Sequence, residues 1–358
     1  MAHLARDVKR VWSPDPVGLL RHADRVADSA ISQLRVEGIE DISALFLPDR
    51  RPNRQLRTLS PEMTKLLLSN SISPFPLHKT IVLLDCLAQH SDERYYRHEL
   101  LALANVIVYS ASNLQFGPEV GAGPAKIDAP VISTWLTEVR AMSEGIRQVR
   151  GRRDVPARVF SADSRKPLEM FDPQSIDVVV TSPPYPNEKD YTRTTRLESV
   201  LLGFIKNQGD LRALKRGLLR SNTRGVYKGD DDDQWVVAHP EVQRTAELIE
   251  ARRVEMGKTS GFERMYSRVT KLYFGGMAHH LASLRPILRP GAQLAYVVGD
   301  QASYLRVMIR TGQLLADIAR SLGYELVGID LFRTRLATAT KEQLREEVLI
   351  LRWPGANL

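Results

Sequence analysis

An uninterrupted apolar run that ends on two prolines limits the folds open to this chain more than any other feature of its sequence. The run is IDVVVTSPPY, from Ile176 to Tyr185. Three consecutive valines favour a β-strand buried on both faces, as in a parallel sheet. Proline has no backbone N–H, so Pro183 and Pro184 end strand pairing and leave carbonyl oxygens free to accept hydrogen bonds. In open α/β sheets, the groups beyond the carboxyl end of a parallel strand usually contact a ligand.

Four further β-rich runs lie after Gly151, with helical patterns between them. They are ARVFSAD, AQLAYVVGD, YELVGIDLF and EEVLILRW. Strands that alternate with helices predict an α/β fold. Apolar residues recur at helical spacing in residues 1–150 and predict a mainly helical region, while residues 151–358 carry the α/β pattern.

Composition excludes several classes of protein. The chain has 358 residues, of which 43% are hydrophobic, and this is enough for a sizeable core. The formal charge of +8 suits a polyanionic partner and equally suits an ordinary basic enzyme. The single cysteine, Cys86, excludes an intrachain disulfide and a cysteine metal cluster, and its apolar neighbours predict a buried thiol. The sequence shows no signal-peptide pattern and no run near the roughly 18 apolar residues of a membrane span, so we expect a cytoplasmic protein.

The residues after the predicted strand can hold an amino group on an aromatic ring. The Ser182 hydroxyl and the Pro183 carbonyl supply two hydrogen-bond acceptors, and Tyr185 supplies a flat surface on which a planar base can stack. Two acceptors that hold the hydrogens of an –NH2 group favour a tetrahedral nitrogen, whose lone pair can then attack an electrophilic carbon. The alternative is a purely structural extended turn with a packed tyrosine.

TSPPY after an apolar strand resembles the catalytic signature of the S-adenosylmethionine-dependent DNA amino-methyltransferases. These enzymes modify N4 of cytosine or N6 of adenine, and the Ser-Pro-Pro-Tyr form is typical of the N4-cytosine branch. The resemblance covers about half of the chain, from Ala157 to Trp353 without a long insertion. It implies a Rossmann-like class I methyltransferase sheet, S-adenosylmethionine as cofactor, double-stranded DNA as substrate and a role in restriction-modification or defence.

The resemblance also implies a role for each residue of the motif. Ser182 and Pro183 would bind the target amino group, and Pro184 would shape the loop. Tyr185 would stack on the base, which must be flipped out of the duplex because its amino group is otherwise paired.

On the cofactor side, the resemblance implies roles for Asp163 and Thr181. Asp163 follows the predicted third strand and matches an acidic position that contacts the cofactor's adenine. Asp163 equally fits a solvated strand end or a helix N-cap before SRKPLEM, so both roles stay open. Methyl transfer from a sulfonium needs no metal, and we expect none.

Two motifs that the family needs are missing from the sequence. No F-x-G-x-G loop follows a strand upstream of Thr181 or downstream of Trp353, and no acidic residue marks a second strand. We therefore expect an incomplete sheet that contains the third to seventh strands. Three explanations fit: a split enzyme whose partner polypeptide carries the glycine-rich loop, a start site misplaced or broken after the second strand, or a degenerate relative that only binds DNA. The first two are favoured.

A long basic insertion, residues 187–269, is the candidate target-recognition segment. Its cations can neutralise phosphates and read guanine edges. They are Arg212, Lys215, Arg216, Arg220, Arg224 and Lys228. The alternative is a solvated linker, which the acidic run KGDDDDQ favours locally. The alternatives for the whole chain are an N6-adenine or RNA amino-methyltransferase and a catalytically inactive DNA-binding subunit.

Overall fold

The computed structural model describes residues 1–42, 55–117, 119–152, 155–186, 190–337 and 341–355. The chain divides into two compact units. The first consists of Met1–Ser161 and Tyr191–Ala213, and the second of Ala162–Asp190 and Leu214–Leu358. None of the helices in these described ranges is long and apolar enough to cross a lipid bilayer.

The first unit is built mainly from helices. They are α1 (Ala2–Arg10), α2 (Pro16–Val36), α3 (Pro61–Leu66), α4 (Pro74–Gln89), α5 (Tyr96–Val106), α6 (Ile132–Val149), α7 (Tyr191–Thr194), α8 (Arg196–Leu201) and the start of α9 (Gln208–Arg216). A short antiparallel pair, β1 (Leu114–Phe116) and β2 (Val120–Ala122), lies between α5 and α6. Because α7, α8 and most of α9 belong to this unit, part of the predicted insertion packs with the helical region.

Local signals set where the helices of this unit begin. The Ser60 side chain accepts a hydrogen bond from the Met63 backbone N–H, and Pro61 occupies the first turn, so the pair Ser60–Pro61 sets the start of α3. Cys86 is buried as predicted, and burial raises the pKa of its thiol. A buried ion pair joins Lys79 of α4 to Asp128, with 2.8 Å between Nζ and Oδ2.

The second unit contains a four-stranded sheet in the order β3-β4-β6-β5. The strands are β3 (Ile176–Thr181), β4 (Leu288–Gly299), β5 (Glu325–Leu336) and β6 (Gln343–Arg352). β3 runs parallel to β4, and β6 runs antiparallel to both β4 and β5. The helices are α10 (Pro240–Glu255), α11 (Tyr266–Leu284) and α12 (Thr311–Ser321). Side chains of α11 and α12 form one core cluster with every second residue of β4, including Leu294, Tyr296 and Val298.

Four of the five predicted strands are confirmed, and the fifth prediction is wrong. The run ARVFSAD forms no strand, and Phe160 within it is 41% exposed. A strand needs a neighbour to satisfy its backbone N–H and C=O groups. Among the described residues, β3 is the last strand on that side of the sheet, so this run has nothing to pair with.

Candidate functional site

The candidate catalytic loop, Ser182–Tyr185, lies directly beyond the carboxyl end of β3. β3 stays in register with β4 up to the pair Thr181 and Tyr296, and regular structure stops at the next residue. Ser182 is exposed, whereas both prolines and Tyr185 are half-buried. The loop therefore presents its hydroxyl to solvent at the sheet edge where ligands of α/β proteins bind.

Tyr185 packs on bare backbone at the end of the neighbouring strand. A Cβ atom on Gly299, the last residue of β4, would lie 2.8 Å from Cε2 and 3.0 Å from Cδ2 of the tyrosine ring. Carbon atoms normally approach no closer than about 3.5 Å, so only glycine leaves room for the ring. Gly299 is not among the site residues predicted from the sequence, although the pattern VVGD places a glycine at the end of a predicted strand.

A second tyrosine lies close to Tyr185 inside the core. Tyr273 of α11 is fully buried, and its hydroxyl has no hydrogen-bond partner among the described residues. Burial raises the pKa of Tyr273, and the electrostatic effect of Tyr185 raises it further. Tyr273 therefore stays protonated and neutral throughout the physiological pH range.

The strand register brings charged residues to the same end of the sheet as Tyr185. Glu346 of β6 lies opposite Gly299 on one side and Arg333 of β5 on the other. Arg333 donates a 2.5 Å hydrogen bond to Glu346, and this contact, with a smaller contribution from Tyr185, raises the pKa of the guanidinium. The end of the hairpin formed by β5 and β6 thus adjoins the candidate catalytic loop.

We define the arginine cluster as the four partly exposed arginines at this end of the sheet. They are Arg310, Arg333, Arg335 and Arg345, with side chains 45%, 65%, 40% and 42% exposed. Their partners are buried acidic residues: Asp300 for Arg310, Glu346 for Arg333 and Arg335, and Glu347 for Arg345. Buried carboxylates fix the guanidinium groups while leaving part of each open to solvent. This cluster could not be predicted from the sequence because its members come from three separate segments.

On the predicted cofactor side, Asp163 is held by Arg165. Arg165 donates to both carboxylate oxygens, at 2.9 Å from Nε to Oδ1 and 2.6 Å from Nη2 to Oδ2, and it also pairs with Asp232. Burial favours a higher pKa for Asp163, but the hydrogen bonds from Arg165 outweigh burial and the pKa is lowered. Asp163 is therefore ionised and ordered by its own turn. Thr181 is the half-buried last residue of β3.

The predicted DNA-binding cations occupy two kinds of position. Arg212, Arg216, Arg224 and Lys228 are exposed. Lys215 is half-buried, and its Nζ lies 2.9 Å from Oδ2 of Asp190. Arg220 is only 4% exposed. Arg220 donates to both oxygens of Asp230 at 2.8 Å. Its guanidinium closes the loop between residues 220 and 230, so it does not face a DNA surface.

The acidic run in the insertion is structural. Asp232 is buried and pairs with Arg165, and its backbone lies against Gly275 of α11. Trp235 stacks on His279 at 4.6 Å between ring centroids. These contacts contradict the solvated linker as an explanation for KGDDDDQ. The described residues contain no group of three side chains able to hold a metal ion.

The adjacent glycines of α11 do not form a cradle for S-adenosylmethionine. Other residues already occupy the space beside the adjacent glycines Gly275 and Gly276 of α11. A Cβ on Gly275 would lie 1.9 Å from the Asp232 carbonyl oxygen. A cofactor cradle needs bare backbone that is open to the ligand. Gly275 and Gly276 therefore do not offer a surface for the cofactor.

Comparison with known proteins gives the class of protein that this chain resembles. No protein-family model matches the chain. In curated proteins the chain is similar to Type II methyltransferases. The individual relatives are the Type II methyltransferase M.AvaI of Nostoc sp. (strain PCC 7120), 27% identical over 209 residues, and the Type II methyltransferase M.BsoBI of Geobacillus stearothermophilus, 25% identical over 191 residues.

These matches cover parts of each protein. The alignment with M.AvaI covers 55% of this chain and 42% of the relative, and that with M.BsoBI covers 49% and 36%. The chain thus spans less than half the length of the curated relatives it matches. A solved structure titled as a putative DNA modification methylase from Thermus thermophilus is 16% identical and covers 54% of this chain and 51% of its own, with a TM-score of 0.27.

Proposed function

We propose that this chain carries the acceptor side of an S-adenosylmethionine-dependent DNA methyltransferase that modifies N4 of cytosine within a restriction-modification system. The observation that carries the proposal is the loop Ser182–Tyr185, which follows a parallel strand and whose tyrosine rests on Gly299. Similarity to Type II methyltransferases supports the enzyme class. A DNA substrate agrees with the net charge of +8, and the proposal includes a cytoplasmic location, where that substrate is found.

The loop would orient the attacking nitrogen. The exposed Ser182 hydroxyl and the Pro183 carbonyl accept the two amino hydrogens of the flipped base, Pro184 holds the loop extended, and Tyr185 stacks on the ring. Gly299 fixes the plane of that stack because the tyrosine ring lies directly on its backbone. Holding the nitrogen in one orientation is the main contribution expected from this chain, because alignment of reactants lowers the barrier of a group transfer.

DNA would contact two basic surfaces. The first is the arginine cluster, which adjoins Tyr185 at the end of the sheet. The second is formed by the exposed cations of the insertion that belong to the second unit, namely Arg216, Arg224 and Lys228, and Arg212 of the first unit is a separate proposed contact. Arginines that buried carboxylates hold in place lose little side-chain entropy when they meet a phosphate, so the cluster is suited to position the duplex.

The donor would bind between this chain and a second polypeptide. Thr181 and Asp163 are the proposed contacts from this chain, and the glycine-rich loop would come from the partner, because the sequence contains no F-x-G-x-G motif. N6 of adenine remains the second candidate acceptor, since Ser182 and Pro183 offer the same two hydrogen-bond acceptors to either amino group.

A methylation assay with mass-spectrometric analysis of the bases tests the proposal. The chain is incubated with S-adenosylmethionine and DNA, with and without the polypeptide encoded immediately upstream. We expect N4-methylcytosine in the mixture and its loss in Ser182→Ala. Ser303→Ala, at an exposed serine outside the loop, serves as control and keeps the activity. Methylation by Ser182→Ala at the rate of the unsubstituted protein refutes the assigned role, and N6-methyladenine as product assigns the other base.

The salt dependence of DNA binding tests the basic surfaces. Each lost phosphate contact should reduce the slope of log K against log salt concentration by about 0.9. We expect the variant Arg216→Ala/Arg224→Ala to flatten the slope by about 2. Arg320→Ala removes an exposed arginine of α12 that pairs with Asp317 and should leave the slope unchanged. Equal slopes for the double variant and this control contradict the assignment.

A further inference from the structure

β3 is exposed where its sequence predicts burial. Its run of β-branched residues is typical of a strand covered on both faces. Yet Val178 is 61% exposed and Val180 is 75% exposed. Neighbouring Val179 points to the other face and packs against the core cluster.

The exposed valines belong to an apolar face that extends over three strands. Val180 lies beside Ala295 of β4, and Ala295 lies beside Ile350 of β6. Val348 of β6 occupies the same face two residues from Ile350, and all three inner residues are only partly buried. The core cluster under α11 and α12 covers the opposite face. In sheets with parallel strands, both faces are normally covered.

The edge of β3 is open as well. In the described part of the chain, β4 is its one neighbour in the sheet. Because β3 and β4 are parallel, a further parallel strand would end at the same side of the sheet, and the loop after it would lie beside Ser182–Tyr185. Pro183 and Pro184 lack an N–H, so the added pairing would be confined to Ile176–Thr181.

We propose that this edge and face bind a separate polypeptide, which adds a strand parallel to β3 and covers Val178 and Val180. The inference rests on the proposed function in one respect: the loop after the added strand is where the glycine-rich cradle for the methyl donor belongs. The length of the relatives supports this occupant. More than half of M.AvaI and of M.BsoBI lies outside the region that matches this chain, which is enough for further strands and their covering helices.

A second copy of this chain is a poorer occupant. Two copies that join β3 to β3 around a two-fold axis would pair antiparallel. Their candidate catalytic loops would then lie at opposite ends of the added pair, and the exposed face would stay uncovered.

Binding of the polypeptide encoded immediately upstream provides the test. The full chain is mixed with it, and complex formation is followed by sedimentation velocity and by hydrogen exchange. We expect a one-to-one complex in which the amides of Ile176–Thr181 exchange at least about 10-fold more slowly. Val180→Glu places a charge in the apolar interface and should raise the Kd by about 100-fold. Val254→Glu, at a 62% exposed valine of α10, is the matched control and should bind normally.

The outcomes separate this inference from the proposed function. Absence of a complex, normal binding by Val180→Glu, or protection of β3 in a homodimer each overturns the docking proposal. Methylation of DNA by this chain alone also overturns it, together with the proposed donor site shared with a partner, and leaves the proposed acceptor role of Ser182–Tyr185 intact. A complex that protects β3 but methylates no base supports docking and refutes the proposed function.

Discussion

The contact between Tyr185 and Gly299 leads to a specific prediction for the variant Gly299→Ala. The added Cβ would lie 2.8 Å from Cε2 of the ring. Carbon atoms pack at about 3.5–4.0 Å, so the ring must move by about 0.7 Å or more. Gly299 is not among the glycines with positive φ, so alanine adds no backbone strain, and the half-buried ring can tilt outward.

Gly299→Ala should therefore fold normally but catalyse methyl transfer more slowly. A displacement approaching 1 Å in a group that positions the substrate costs up to about 100-fold in rate, and we expect methyl transfer to slow by about 10- to 100-fold. The free energy of unfolding should change by less than about 1 kcal/mol. The rate is measured in a single turnover with labelled S-adenosylmethionine and the assembled enzyme, and stability is measured by urea denaturation.

Gly328→Ala is the matched control. Gly328 lies in β5, and the nearest atom to its added Cβ is Oδ1 of Asp330 at 3.7 Å, an ordinary contact. The control should keep the full rate. If Gly299→Ala also keeps the full rate, the ring does not depend on its position over Gly299, and the proposed role of the stack is wrong.

Three further predictions concern stability. Burial raises the pKa of the Glu198 carboxyl from 4.5 to about 7, so the folded protein loses stability as the pH rises through that range and the buried group becomes charged. Glu198→Gln should therefore raise the free energy of unfolding by up to about 3 kcal/mol at pH 8 and leave it unchanged at pH 4, as measured by urea denaturation. Lys79→Ala should lower the free energy of unfolding by about 3–5 kcal/mol, because it leaves the buried Asp128 carboxylate without an opposite charge. Gly275→Ala places a Cβ 1.9 Å from the Asp232 carbonyl oxygen and should lower the free energy of unfolding by about 3 kcal/mol, as measured by thermal unfolding.

Each of these three stability predictions has a control variant in the same unit or in the same kind of secondary-structure element. Asp317→Asn removes an exposed carboxylate and should show no comparable gain between pH 4 and pH 8. Arg140→Ala removes an exposed partner of Asp24 and should cost at most about 1 kcal/mol. Gly145→Ala in α6 meets no atom within 4 Å and should be neutral or stabilising. If a control changed the free energy of unfolding as much as the corresponding buried variant is expected to, the reasoning from burial and contact would be wrong.

Features that depend on neighbouring residues in the sequence could be predicted. The strand that ends before Ser182 follows from its β-branched run and the prolines, and the N-cap at Ser60 follows from the hydroxyl and the proline after it. The burial of Cys86 follows from the apolar residues around it. In these cases the physical cause is local, and the sequence window contains all of it.

Features that depend on residues far apart in the sequence were either not predicted or predicted wrongly. The run ARVFSAD has the composition of a strand but no neighbour to pair with among the described residues. Arg220 resembles a solvent-exposed cation until Asp230, ten residues away, folds back onto it. Gly299 and Arg333 reach Tyr185 only through the register of three strands, which no single window of sequence encodes.

The two prolines after β3 also protect this protein from aggregation. An apolar edge strand with exposed valines is a template for edge-to-edge growth of β-sheet, the first step towards amyloid-like assembly. Pro183 and Pro184 cannot donate to such a ladder, so they limit any non-native pairing to the six residues Ile176–Thr181. Pro183 and Pro184, which the proposed function places beside the substrate, are therefore also gatekeepers, and replacing them should increase the tendency of the free chain to form fibres.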